Sequence, residues 1–194
     1  MTPTKTLAAF AAAGALIVAG CGSDDNKSSN SAAKATGNGA DRAFVADMVP
    51  HHQAAIEMAT IARSRAQGAF VKTLADNIIK TQAEEMKTMR REDAGLARAG
   101  IKLGSLGVPE NMKGMDHNPA TLKTTHPFDA AFMRMMVPHH QGALVMAKAE
   151  LAKGTDPQLK TLAQAIITAQ QREISEMTKQ LGKTGTGGMH GPTM

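Results

Sequence analysis

The sequence predicts an all-α protein, a four-helix bundle made from two repeated helical hairpins joined by a long crossover loop. Three observations predict it. The stretch MVPHHQAAIEMA, from Met48 to Ala59, returns as MVPHHQGALVMA from Met136 to Ala147, an offset of 88 residues without a gap. Around both copies, apolar residues recur at intervals of three and four, the period of a helix face. The 194 residues include 14 Met and five Phe but no Trp or Tyr, and a core of Ala, Met, Leu and Ile suits closely packed helices. The net charge of +5 is scattered, with no basic run and no aromatic ladder, so nucleic acid is not an expected partner.

The first segment, residues 1–20, reads as a signal peptide. Lys5 supplies a positive start, and Leu7 to Val18 is apolar but too short for an ordinary membrane-spanning helix. Val18-Ala19-Gly20-Cys21 resembles a bacterial lipobox, which makes Cys21 the expected lipidation site. Residues 21–40 read as a disordered tether, rich in Ser, Asn, Asp and Lys. The expected location is therefore outside the cytoplasm, lipid-anchored to the outer face of the cytoplasmic membrane or in the periplasm or cell envelope. Cys21 is the one cysteine, so stability must come from packing, and a soft metal site must use Met or His.

The folded region spans 41–182. Its first repeat covers about 41–99, with helices near 41–66 and 69–99 divided at Gly68. A loop of 100–125, rich in Gly, Pro and Asn, follows and is long for a connector. The second repeat, about 126–182, holds helices near 128–153 and 156–182, with Asp156 placed to cap and Pro157 at a first helical position. His126-Pro127 opens the third helix in a similar way. Residues 183–194 read as a flexible tail carrying Met189, His190 and Met194.

The candidate site follows from helical geometry. His51 and His52 lie about 100° apart around a helix axis, so a regular helix does not easily bring both to one ion. Met48, His51, Ala55 and Met58 form one stripe, with His52 on its shoulder; on the next helix Gln82, Glu85 and Met89 form another. The second copy supplies Met136, His139, His140 and Met146, then Gln170, Glu173 and Met177. Pro50 and Pro138 take a backbone donor from Ala46 and Arg134, and either kink a helix from within or mark its start. Imidazole is a common metal ligand, and thioether adds a preference for soft ions, chiefly Cu(I). The alternative is that the histidines hydrogen-bond to Glu85 and Glu173 as buried clips. The two roles are compatible, because a ligating histidine needs an acceptor on its other nitrogen. Met86, Met133 and Met135 read as packing. Met112, Met115 and His117 in the long loop have no core to fill and suit a copper collector, as does the tail.

Taken together, the doubled Met-Val-Pro-His-His, each copy preceded by Asp-x-x-Phe (Asp41 and Phe44, Asp129 and Phe132), resembles the domain-of-unknown-function 305 family over about 41–182. The resemblance implies a ferritin-like helical fold, export, and a link to copper binding and copper resistance.

Rival functions lack their residues. A di-iron oxidase needs a Glu-x-x-His from each of two helices, and none occurs; Glu57 has Val145 as its counterpart in the second copy, so it is not part of the repeat. Covalent haem needs Cys-x-x-Cys-His, which is missing, although a noncovalent haem bundle stays open. His-Glu-x-x-His is missing too, and no nucleophile supports an enzyme. A non-metal helical interaction module of the envelope is the remaining alternative. The reading is an exported, membrane-anchored lipoprotein that binds copper, Cu(I) favoured with Cu(II) or Zn as other choices, for buffering, sequestration or transfer to or from a partner protein. His51, His52, His139 and His140 carry the binding, Met48, Met136, Met58 and Met146 are soft partners, and Glu85 and Glu173 orient the rings or complete a site.

Overall fold

The computed structural model describes residues 36–186. The expected signal peptide, the expected lipidation site Cys21, most of the expected tether and the tail residues Met189, His190 and Met194 lie outside the described residues. Four helices account for the fold: α1 (Gly39–Arg65), α2 (Ala69–Arg98), α3 (Phe128–Lys153) and α4 (Pro157–Thr186). Among the described residues there is no strand, and no helix is long and apolar enough to cross a membrane. The crossover between α2 and α3 contains two 3-10 turns, Glu110–Met112 and Pro119–Lys123.

α1 begins two residues earlier than the repeat suggests because Asn38 caps it. The Asn38 side chain accepts from the amides of Ala40 (2.7 Å) and Asp41 (3.2 Å), and Asp41 accepts in return from the Asn38 amide at 2.5 Å. Asp156 caps α4 as its sequence position suggests, accepting from the amides of Gln158 and Leu159, both at 2.9 Å. Pro50 and Pro138 lie inside α1 and α3, which continue through them, so neither marks a helix start.

The two hairpins lock together by exchanging caps. Asp41, at the start of α1, accepts from the amides of Thr155 (3.0 Å) and Asp156 (2.9 Å) in the turn between α3 and α4. Its repeat counterpart Asp129, at the start of α3, accepts from the amides of Gln67 (3.0 Å) and Gly68 (2.7 Å) in the turn between α1 and α2. Each hairpin thus satisfies orphan amides of the other. α1 packs along α2 and α3 along α4; the hairpins meet chiefly through α1 and α3, while α2 and α4 touch little.

The core is divided in two along the bundle. One apolar half joins Phe44 and Met48 of α1 to Met89 of α2, Met146 of α3 and Ile166 of α4. The other joins Met58 and Ala62 of α1 to Leu74 of α2, Phe132 and Met136 of α3 and Met177 of α4. The start of α1 therefore shares a half with the end of α3, so the two central helices run antiparallel. Phe44 and Phe132, repeat counterparts, are both fully buried, one in each half. Met86 and Met133 are buried packing residues.

Glu150 breaks the repeat, with Ala62 in its place in the first copy, and it is fully buried against Asp41. Burial, then the hydrogen bond with Asp41, pushes its carboxyl up to about 8, so it stays protonated and donates to the Asp41 carboxylate. For Asp41 burial acts upward, but the bonds from Glu150 and from the amides of Asp156, Asn38 and Thr155 outweigh it and hold the group below its usual range.

A pH dependence follows. Glu150 binds its proton more tightly folded than unfolded, so its contribution is full below about 4.5 and is lost as pH rises through about 8. Between about pH 6.5 and 8, stability measured by urea unfolding should fall by up to about 1.4 kcal/mol per pH unit. In Glu150→Gln, which keeps a donor to Asp41 but cannot titrate, that slope should vanish.

Candidate metal centre

Between the two apolar halves lies a polar layer, and all four repeated histidines are in it. His51, His52 and His140 are fully buried, and His139 is 2 % exposed. The rings form a row. The centroids of His52 and His51 are 6.2 Å apart, those of His51 and His139 3.7 Å, and those of His139 and His140 6.4 Å. The close contact at the middle joins α1 to α3 across the internal two-fold, with the ring planes 31° apart. The neighbours on each helix diverge, as their offset around the axis demands: His52 and His140 point outward to the flanking helices.

Each outer ring meets a carboxylate. His52 Nε2 donates to Glu85 of α2 and His140 Nε2 to Glu173 of α4, both at 2.7 Å. The expected clips are therefore present, in both copies and at the same length. His51 Nε2 donates to the backbone carbonyl of His139 at 3.0 Å. These bonds fix tautomers: with Nε2 donating, a neutral ring carries its lone pair on Nδ1. The Nδ1 atoms of His51, His52 and His140 are buried and make no hydrogen bond, and neither ring nitrogen of His139 makes one. Such orphaned atoms are rare in a native interior and call for an explanation.

The remaining predicted residues fall around this layer. Met48 and Met146 pack in one apolar half and Met58 and Met136 in the other, all buried. Met48 and Met136 flank the layer one turn before the histidines, on opposite sides of it. Gln82 and Gln170, one turn before Glu85 and Glu173, are buried at 3 % exposure and also hold unpartnered amide atoms. Their recurrence at the repeat offset marked them, yet side-chain amides are weak metal ligands and gave no reason to promote them. Glu173 also lines a cavity of about 490 Å³ between α2 and α4, beside Asn77 and Glu176, so the His140 pair has a side close to solvent.

Electrostatics keep the central pair neutral. Burial, then the neighbouring His52 and His140, pushes His51 down to about 3. Burial, then the facing His51, drives His139 far below the usual histidine range. Two neutral, buried imidazoles facing each other are competent ligands that need not lose a proton first. Among the described residues no three His, Cys, Asp or Glu side chains form a group that could hold a metal ion. The layer is thus a pair of central imidazoles with clipped outer ones, not a preformed cage of three or four such ligands.

The fold and site define a class: a duplicated four-helix bundle whose waist is a buried histidine row braced by carboxylates. The chain belongs to the family described as Domain of unknown function (DUF305), which matches residues 41–181. It is similar to solved structures of CopM in the Cu(I)-bound form (32 % identity, TM-score 0.62) and the Cu(II)-bound form (32 % identity, TM-score 0.65). In each case 74 % of this chain and 96 % of CopM are covered. CopM is also known in an Ag-bound form. A DUF305 fragment from Deinococcus radiodurans matches at 32 % identity and TM-score 0.62, over 76 % of this chain and 99 % of the fragment. An uncharacterized protein, L153, of Acanthamoeba polyphaga mimivirus is 42 % identical over 53 residues, 27 % of this chain; the match spans 35 % of that protein.

The neutral histidines give the metal-free protein an acid-side slope. Their folded values lie below the ordinary 6.5, so the unfolded chain binds more protons, and stability is full above about 6.5 and falls as pH drops toward about 3. From pH 6.5 to 5, each of His51 and His139 should remove up to about 1.4 kcal/mol per pH unit. Urea unfolding of the protein with both residues changed to Gln should show that slope removed.

Proposed function

We propose that this protein is an exported, lipid-anchored copper-binding protein that buffers, sequesters or transfers Cu(I) through its buried histidine row. The observation that carries this is the facing pair His51 and His139, buried, neutral and holding ring nitrogens without partners. The copper- and silver-bound relatives support it. Two imidazoles suit an ion content with few ligands, which favours Cu(I) over Zn or Cu(II), whose sites take more. A lone pair lies in the plane of its ring, so the near-stacked rings must turn edge-on to share an ion. Met48 and Met136, one turn away on either side, are the soft thioethers that would follow.

His52 and His140 extend this pair as the outer ligands of the row. Their bonds to Glu85 and Glu173 fix the tautomer and keep Nδ1 available, and a carboxylate behind a ligating ring raises its basicity. Copper here is cargo, and no bond-making step is proposed. Cys21 anchors the domain at the outer face of the cytoplasmic membrane or in the envelope, where thiolate sites would be lost to oxidation and Met and His are the durable soft ligands. A donor or acceptor protein completes the transfer role.

The test is anaerobic Cu(I) titration against a competing chelator. The unlipidated Cys21→Ser chain should bind, and a variant with His51, His52, His139 and His140 all changed to Ala should bind at least about 100-fold more weakly at equal helicity. Failure of the parent to bind would leave the histidines as structural clips. Glu85→Gln and Glu173→Gln should each weaken binding by about 10- to 100-fold while leaving the ions bound per chain unchanged.

A further inference from the structure

The crossover loop lies against the histidine row, and its clamping is specific. Lys113 is only 8 % exposed. Its ammonium pairs with Asp47 of α1 at 2.9 Å and with Glu110 at 2.7 Å. The loop backbone then meets α3 with no room for a side chain. A Cβ on Gly142 would sit 2.0 Å from the Lys113 carbonyl oxygen, and one on Gly114 would sit 2.6 Å from the Pro138 oxygen and 3.1 Å from His139 Cα. Gly114 also has φ +69°, a conformation other residues rarely adopt. Residues 113 and 114 are therefore seated on the turn of α3 that presents His139, and are held to α1 close to His51.

The side chains flanking this seat do not pack. Met112 is 49 % exposed and Met115 40 %, while methionines elsewhere in the bundle fill the core. His117, two residues on, is partly buried. Two thioethers and an imidazole lie within six residues around a tight turn. The two methionines are exposed rather than packed, and all three are ligand types soft ions prefer.

We propose that Met112, Met115 and His117 form a second, outer site for Cu(I) or Ag(I), from which the ion is handed to His51 and His139 beneath the clamped turn. This rests on the copper reading of the histidine row, and it adds the route in. The outer ligands are two neutral thioethers and one imidazole, so the site is weaker and faster to exchange than the buried one. The handover is a ligand exchange in which the ion keeps its charge and no electron moves.

The experiment uses the full chain with Cys21→Ser, Cu(I) under argon and a chelator competitor, together with Ag(I) titration followed by the methionine methyl resonances. Met112→Leu, Met115→Leu and His117→Asn combined should remove one bound ion per chain and slow loading of the buried site at least tenfold, with the affinity of the remaining site unchanged. His51→Ala with His139→Ala should do the reverse, losing the tight ion and keeping the outer one. In the parent, the methyl resonances of Met112 and Met115 should shift at the first additions of Ag(I), and those of Met189 and Met194 report the tail separately. Unchanged stoichiometry and loading rate in the triple variant, or unmoved Met112 and Met115 resonances, overturns the outer site. If the pair of histidine changes alone has no effect, the buried site fails while the outer one stands, so the two readings fail independently.

Discussion

Two hydrogen bonds of 2.7 Å, His52 to Glu85 and His140 to Glu173, hold a polar layer across the middle of an otherwise apolar bundle. A buried ring nitrogen or carboxylate without a partner costs more than the bond returns, so a slip of α2 or α4 by one turn would strand both partners. The layer therefore sets the register of each hairpin. It also separates the core into its two halves and delivers His51 and His139 to the internal two-fold axis, where the pair faces itself at 3.7 Å.

Duplication explains the symmetry of the row, and departures from duplication carry the rest. Asp41 and Asp129 exchange caps between hairpins, but only Asp41 acquired a buried proton-sharing neighbour, Glu150. Only one crossover lies between the copies, so the clamp of Lys113 on Asp47 and the seat of Gly114 on α3 belong to one face of a nearly symmetric molecule. A symmetric binding layer thus has an asymmetric surround, with the loop on His139 and the Glu173 cavity on the side of α2 and α4. Titrations pull in opposite directions: the central histidines disfavour acid and Glu150 disfavours base.

The four helices were legible because the three-and-four periodicity is long and written twice. The His–Glu clips were legible too, since both partners recur at the same offset. Asp156 announced its cap locally, by its place before Pro157. Other features depend on residues far apart in the chain. Asp41 satisfies amides 114 and 115 residues away, a pairing no local pattern reveals. That His51 faces His139 depends on how the hairpins dock. The role of the prolines stayed open in sequence because a proline reads alike at a helix start and inside one; the structure places both inside. Glu150 has no like residue in the first copy, where Ala62 stands, and only its burial beside Asp41 gives it meaning.

The central claim is that the facing imidazoles of α1 and α3 are ligands as well as structural groups. X-ray absorption at the copper edge, on protein loaded anaerobically with one equivalent of Cu(I), tests this most directly. Ligation by the facing pair gives the outer-shell scattering of two histidine rings at a low-coordinate Cu(I), lost when His51 and His139 are replaced. A spectrum of sulfur ligands alone, the same in parent and variant, would contradict it.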